Sequence, residues 1–502
     1  KIVPMFSRVL IANRGEIACR VIRGCRELSV RTVAVYSDPD QHALHVRLAD
    51  QAVHLGGAAP SESYLNQEKI IAAAKDTGCE AVHPGYGFLA ENAEFAERVA
   101  AAGMAWIGPP PDAIRGMGLK IAARETAKAA GAPTIPGFEI AEASDDEFLK
   151  AAEGIGYPVM VKASAGGGGK GMRVVESAGK LVSSLEAARR ESKGAFGNPA
   201  VYLEKYIERP RHIEIQVLAD GHGNCVHLGE RECSVQRRHQ KVVEETPSTA
   251  VSAKLRGEMG SAAVAIAQQV GYVGAGTVEF IMGPGGEYYF LEMNTRLQVE
   301  HPVTEFVYGV DLVHWQLRIA AGEKLTLKQE DIKPRGHSIE CRVCAEDAAT
   351  GFLPAVGKVE VYSEPQGPGI RLDTMLFEGW EVGADYDPLL GKLIVWGEDR
   401  DAAIRRMAHA IENYRVLGVV TNLPFLHDVV THDAFAAGET DTGFIARHFP
   451  EWSAPEPSDA ALAAAALALT VKRGAASAAS ANGAGQGEPA SPWASYGGWS
   501  NV

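Results

Sequence analysis

The first hundred or so residues alternate strand-like and helix-like stretches in a fixed order, and few folds accept that order. From Ser7, "RVLIAN" reads as a strand, "GEIACRVIRGCREL" as a helix, "RTVAVYS" and "AVHL" as strands, and "NQEKIIAAAKDTG" as a helix. "EAVHPG", "ENAEFAERVAAAG" and "AWIGP" continue as strand, helix and strand. Such βαβα order predicts a doubly wound parallel sheet, with ligands at the carboxyl ends of its strands. The first strand–helix turn, "ANRGE", offers a phosphate one glycine and lacks the dinucleotide fingerprint, so packing is its preferred reading.

From about Gly118 to Arg335 the pattern turns α+β, with short β-branched strands ("PVMVKAS", "MRVVES", "AVYLEKYI", "HIEIQVLAD", "CVHLGE") separated by glycine turns. A third section, about Gly336 to Pro450, opens on "HSIECRVCAED" and closes near the helix "RDAAIRRMAHAIENY". Beyond it lie an alanine-rich helix, "DAALAAAALALTVKRG", a linker of Ala, Ser and Gly, and the end "PWASYGGWSNV". The divisions expected for the 502 residues are thus 5–118, 119–335, 336–450 and 451–502.

A net charge of −14 argues against a general binder of nucleic acid or membrane surface, so any phosphate site must be local. The seven cysteines follow no framework spacing, and "CRVC" (Cys341 to Cys344) lacks a second pair. Buried thiols in a reducing cytoplasm are the expectation. The first residues carry no signal-peptide pattern, no apolar run is long enough for a bilayer, and "KIVP" reads as an addition ahead of Met5.

Three stretches carry chemistry. "KASAGGGGKGM", Lys162 to Met172, is placed at a hairpin tip between two strands. Backbone N–H groups without side chains close on phosphate oxygens, Lys162 and Lys170 add charge, and the glycines suit a lid that closes over nucleotide. The alternative is a plain linker.

In "ERECSVQRRHQKVVEE", an extended chain puts Arg237, His239 and Lys241 on one face, where they repel unless an anion lies between them. The alternative is a charged edge strand.

"TVEFIMGPGGEYYFLEMNTRLQVEHP" reads as a hairpin turning at Gly283 to Gly286. A symmetric turn pairs Glu279 with Phe290 and Thr277 with Glu292, which puts Glu279, Glu292 and Asn294 on one face. Two carboxylates and an amide oxygen suit Mg²⁺ completed by phosphates. Val278, Phe280, Tyr289, Leu291 and Met293 form the expected apolar face, and a bulge in the turn reverses this parity. Arg296, Gln298 and Glu300 continue the acidic face and add a cation and a general-base candidate.

These stretches, together with "RVLIANRGEIACRVIR", "HPGYGFLAENAEFA", "EKYIERPRHIEIQVLAD" and "EMNTRLQVEHPVTE", resemble biotin carboxylase, the ATP-grasp component of biotin-dependent carboxylases, from about Ser7 to Pro450. The resemblance implies an ATP-dependent ligase. ATP, bicarbonate and carrier-bound biotin give N-carboxybiotin, ADP and phosphate, with Mg²⁺ or Mn²⁺. It implies an N-terminal domain, an ATP-grasp domain with a lid over 134–206, a C-terminal domain and a flexible tail.

By the same resemblance, Lys120 and Lys162 meet ATP phosphates under Gly168 and Gly169. Glu204, Lys205, Tyr206 and Ile207 meet the adenine, with His212 and His239 also lining the nucleotide site. Glu279, Glu292 and Asn294 match metal positions. Lys241, Arg296, Gln298 and the Val299 backbone match the bicarbonate pocket, and Glu300 the base. Arg342 matches the group that stabilises the biotin enolate, Tyr86 lies near the biotin ring, and Arg20 and Arg23 fall on a homodimer contact. Ala165 departs from a run that is often all glycine.

No "MKM"-like motif occurs, so the biotin is expected on a separate carrier protein or domain. The tail resembles the linking region of acyl-CoA carboxylase α chains, which implies a cytoplasmic α-type subunit, cut before a biotinyl domain and partnered by a carboxyltransferase. The alternatives are the biotin carboxylase subunit of acetyl-CoA or two-subunit pyruvate carboxylase and, more remotely, another ATP-grasp ligase or a scaffold. "RLQVEHP" and "ECRVCAED" disfavour the remote pair. Leu462, Leu467 and Leu469 are expected on one helical face, with Trp493 and Trp499 as anchors for the carboxyltransferase.

Overall fold

The computed structural model describes residues 5–138, 143–163, 172–196, 199–454 and 456–467. The chain forms two compact units, one ending at Trp452 and one beginning at Ser453. Among the described residues no helix is long and apolar enough to cross a membrane.

Five parallel strands open the first unit: β1 (Arg8–Ile11), β2 (Arg31–Ser37), β3 (Gln51–Gly56), β4 (Ala81–His83) and β5 (Ala105–Trp106), in the order β3-β2-β1-β4-β5. The helices α1 (Gly15–Glu27), α2 (Leu44–Leu48), α3 (Gln67–Asp76) and α4 (Ala93–Ala101) lie between them in sequence. Strand alternation sends Val9 and Ile11 into one core with Ile17, Val21 and Ile22 of α1. Leu10 goes into the opposite core with Ile70, Phe95 and Val99. Burial on both faces is what a doubly wound parallel sheet requires. The "ANRGE" turn serves packing: Asn13 Nδ2 donates to the carbonyls of Pro84 (2.7 Å) and Tyr86 (2.8 Å), while Arg14 pairs with Asp40.

After α5 (Pro111–Gly118) and α6 (Lys120–Ala129) comes a four-stranded antiparallel sheet of β6 (Gly137–Phe138), β7 (Val159–Ala163), β8 (Arg173–Val175) and β9 (Val201–Lys205), ordered β6-β9-β7-β8. The helices α7 (Asp145–Ile155) and α8 (Ala178–Phe196) share with it a core around Phe148, Val161, Leu185 and Leu203. The glycine run, including Gly168, Gly169 and Lys170, lies outside the described residues.

Six further strands come next: β10 (Arg211–Ala219), β11 (Cys225–Arg237), β12 (Gln240–Thr246), β13 (Gly274–Met282), β14 (Tyr288–Asn294) and, opening the last section, β15 (His337–Cys344). The helices α9 (Ala253–Gln269), α10 (His301–Tyr308) and α11 (Leu312–Ala320) fall among them. Eight more strands follow: β16 (Glu346–Asp347), β17 (Leu353–Pro354), β18 (Gly357–Lys358), β19 (Val361–Ser363), β20 (Ile370–Thr374), β21 (Glu381–Val382), β22 (Leu389–Gly397) and β23 (Arg415–Leu417). One eight-stranded sheet, β14-β13-β10-β11-β12-β15-β22-β20, takes strands from both sides of Gly336.

Two expectations need correction. The stretch "QRRHQK" is not one extended strand. Arg238 (φ +49°) and His239 (φ +67°) make a two-residue turn that folds β12 back on β11, pairing Gln236 with Lys241 and Arg237 with Gln240. Two left-handed central residues suit the right-handed twist of the flanking strands. Partners across a ladder share a face, so Lys241 lies with Gln236 and not with Arg237. Arg237 instead stacks over Phe352, 4.0 Å from its ring centre.

The hairpin register also differs. Glu279 is directly opposite Glu292, and Thr277 is opposite Asn294. A bulge between the 279–292 and 280–290 pairs then offsets the outer half. Glu279, Glu292 and Asn294 still share a face, because the bulge lies between them and the turn. Its extra residue, Leu291, leaves the apolar face and is 40% exposed, while Phe290 enters the core with Val278, Phe280 and Met293.

In the second unit, residues 459–467 are helical and Leu462 and Leu467 are exposed. Leu469, Trp493 and Trp499 lie outside the described residues.

Candidate active site

A cavity of about 780 Å³ opens on the eight-stranded sheet, and Tyr86, Lys162, Lys241, Glu292, Glu300 and Arg342 are among the residues that line it. Lys241 is its electrostatic centre. Its Nζ donates to Glu214 (2.6 Å), Glu279 (2.9 Å) and Glu300 (2.7 Å). Burial disfavours the ammonium, but the three carboxylates outweigh it and hold Lys241 well above the usual lysine range.

The carboxylates respond in kind. Burial pushes Glu279 and Glu300 up, yet both end well below the usual range, Glu279 through Lys241 and His212, Glu300 through Lys241, Arg342 and Arg231. Glu300 holds Arg342 Nη2 at 2.8 Å, and Arg342 Nε donates to Glu244 at 2.6 Å. The base candidate and the enolate-stabilising candidate therefore touch.

Glu279 Oε1 also accepts from Asn294 Nδ2 and Gln298 Nε2, each at 2.9 Å, and Oε2 lies 3.0 Å from His212 Nε2. Glu292 behaves differently: burial and the facing Glu279 raise its carboxyl. Two opposed carboxylates, one of them with its carboxyl raised, and an amide beside them form a donor set that fits a hard divalent cation. Ligand atoms of His212, Glu214 and Glu279 also lie within 4.8 Å of one another.

Arg296 reaches Glu91 (2.9 Å) and Asn294 Oδ1 (3.1 Å). Lys120, His212, His239, Gln298 and Val299 line the same cavity. Lys162 pairs with Glu204, whose other oxygen accepts from Arg124 at 3.1 Å. Glu204, Lys205, Tyr206 and Ile207 are not lining residues, and Lys205 Nζ turns to the Gly156 carbonyl (2.8 Å). Arg20 is buried against Glu305 (3.0 Å) and Asp311 (2.7 Å), while Arg23 is half-buried.

Sequence reasoning missed four contributors. Arg231 is fully buried opposite Glu214, and its guanidinium also donates to Gln216 (2.7 Å), Thr277 (3.0 Å), Gln298 (2.8 Å) and Thr304 (2.9 Å). Glu214 and Arg231 were signalled only as charges inside apolar strands, while Glu91 and Lys392 carry no local signal. Lys392 Nζ donates to the Val299 carbonyl at 2.8 Å and lies 3.3 Å from Glu16.

An acidic sheet face with a central lysine, facing a small antiparallel sheet that presents a second lysine, defines an ATP-grasp ligase. Residues 5–114 match the biotin carboxylase N-terminal domain, 120–328 the ATP-binding domain of the carbamoyl-phosphate synthase L chain, and 340–447 the biotin carboxylase C-terminal domain. The chain belongs to the biotin carboxylase family.

A biotin carboxylase of Nostoc is 52% identical over 440 residues, covering 88% of this chain and 98% of that one. The α subunit of the mitochondrial methylcrotonoyl-CoA carboxylase of Dictyostelium discoideum is 49% identical over 501 residues, 99% of this chain and 71% of that one. The biotin carboxylase domain of a thermophilic 2-oxoglutarate carboxylase bound to bicarbonate superposes with a TM-score of 0.86 at 47% identity, over 89% of this chain and 98% of that one. The domain dimer from Hydrogenobacter thermophilus, in complex with MgADP, ADP and bicarbonate, gives 0.83 at 48%, over 90% and 100%.

Proposed function

We propose that this biotin carboxylase is the α-type component of an acyl-CoA carboxylase, acting on biotin carried by a separate protein or domain. The match to the Dictyostelium α subunit spans 501 residues and so runs on through the tail. The matches to the Nostoc biotin carboxylase and to the corresponding pyruvate carboxylase chain of Methanothermobacter stop at 440 and 441 residues. A homodimer through the biotin carboxylase body, a carboxyltransferase partner and a cytoplasmic location complete the reading, the last supported by seven free cysteines.

The observation that carries the site assignment is Glu300, held between Lys241 and Arg342 in one cavity with Glu279. Glu300 is ionised and takes the proton of bicarbonate, whose oxygen then attacks the γ-phosphate of ATP to give carboxyphosphate and ADP. Lys241, Arg296, Gln298 and the Val299 N–H hold the anion, and its arrival draws Lys241 and Arg342 away from Glu300, which strengthens the base. Lys120, Lys162, His212 and His239 serve the nucleotide, under Gly168 and Gly169, with its adenine against Glu204 to Ile207. Glu279, Glu292 and Asn294 would hold Mg²⁺ or Mn²⁺, which neutralises phosphate charge when bound. Arg342 then faces the developing ureido oxyanion of biotin, beside Tyr86. Positioning and charge carry the catalysis.

Purified protein given Mg-ATP, bicarbonate and free biotin is expected to release phosphate and form carboxybiotin. Folded protein yielding neither overturns the site assignment. Identification of the chains that co-purify with the native complex decides between the acyl-CoA and pyruvate readings.

A further inference from the structure

The short segment between β14 and α10 is pinned by two side chains buried behind it. His301 Nδ1 lies 2.7 Å from the Gln298 carbonyl oxygen, and Lys392 Nζ donates to the Val299 carbonyl at 2.8 Å. Both side chains are fully buried, at 0% exposure. The Gln298 side chain is also fixed, its Oε1 accepting from Arg231 and its Nε2 donating to Glu279. Four groups therefore dictate how Gln298 and Val299 present themselves.

In a planar trans peptide the C=O and N–H point in opposite directions. The carbonyl of Gln298 and the N–H of Val299 belong to one such peptide, so holding that carbonyl against His301 turns the N–H the other way. Val299 lines the cavity, and among the described residues its N–H makes no hydrogen bond. A carbonyl only accepts, so Nδ1 carries the ring proton. Burial and the neighbouring Lys392 keep the imidazole neutral. Its Nε2 has no hydrogen-bond partner and lies 3.9 Å from Glu305.

We propose that His301 is a positioning residue for bicarbonate: by holding the Gln298 carbonyl it aims the Val299 N–H into the cavity as an anion donor. The inference rests on the reading of Gln298 and Val299 as part of the bicarbonate pocket. His301 touches no substrate. Its hydrogen bond also polarises the peptide, which strengthens the donor on the other side.

The test compares His301→Ala with His301→Asn, whose amide nitrogen stands as many bonds from Cβ as Nδ1 does. Bicarbonate-dependent ATP hydrolysis gives separate KM values for bicarbonate and ATP, and thermal unfolding checks that each variant is folded. His301→Ala is expected to raise KM for bicarbonate about tenfold, the worth of one hydrogen bond to a charged group, with KM for ATP unchanged. His301→Asn is expected to restore most of that loss. If the alanine variant does not fold, His301→Leu replaces it. A donor-less variant with normal KM for bicarbonate, or an asparagine variant no better than it at equal stability, overturns the inference alone. Absence of any bicarbonate-saturable rate in the unaltered protein overturns the pocket reading beneath it.

Discussion

Glu279 and Glu292 stand directly opposite each other across the β13–β14 ladder, yet burial and partners drive them apart: Glu279 is held well below the usual range and Glu292 above it. Lys241 and His212 overcome burial at Glu279, whereas at Glu292 burial and the neighbour's negative charge outweigh the pull of Lys120, His212 and Lys241. A pair so divided is short of one cation.

Glu292→Gln is therefore expected to lower metal-dependent turnover on the order of 100-fold, the scale of losing one preorganised electrostatic group. Without metal the same variant is expected to melt no lower than the parent at neutral pH, because an acid whose folded pKa is raised loses stability on ionising. Magnesium titrations of ATP hydrolysis, paired with metal-free melts, check both halves. An unchanged magnesium dependence refutes the assignment of Glu292 to the metal.

Glu16 gives a pH signature. Burial pushes its carboxyl from 4.5 up to about 7, against the pull of Lys392. Between those two values the folded chain keeps a proton that the unfolded chain has released, so this contribution to stability falls as pH rises and levels off above about 7. Glu16→Gln has no such proton. The stability difference between variant and parent, followed by denaturant titration from pH 5 to 8, is expected to grow in the variant's favour up to about pH 7 and then stay flat.

Arg342→Lys keeps the charge and loses the fork that engages Glu244 and Glu300 together. Carboxybiotin formation is expected to fall on the order of 100-fold, with KM for ATP unaffected. Parallel assays of carboxybiotin and phosphate separate the two effects, and equal losses in both count against a role at the biotin.

Removing everything after Pro455 tests the tail. Biotin-dependent ATP hydrolysis is expected to survive, while co-purification with a carboxyltransferase is lost. A shortened chain that assembles normally ends the docking idea.

Much of this was legible because period carries topology. Strand–helix alternation pointed to the doubly wound parallel sheet, though not to the order of its strands, and a period of two placed Glu279, Glu292 and Asn294 together despite a wrong register. The bulge at Leu291 escaped because nothing in "YYFLEMN" marks it, and it matters only once Phe290 meets the core. The β11–β12 turn escaped because Arg238 and His239 replace the glycine or asparagine usually sought at left-handed positions. Glu91 and Lys392 were invisible for another reason. Their meaning comes from partners brought near by folding, and no local pattern encodes those.

The eight-stranded sheet has a consequence for how such proteins are inherited. β15 hydrogen-bonds to β12 through four residue pairs, Val243 with Cys341 to Thr246 with Ser338, across the place where the second and third sections join in sequence. A genetic exchange that brought in a foreign third section would have to rebuild that seam, and with it the spacing of Glu244 from Arg342. In this chain an exchange of either section alone breaks those four pairs, so the two have to change together along the seam.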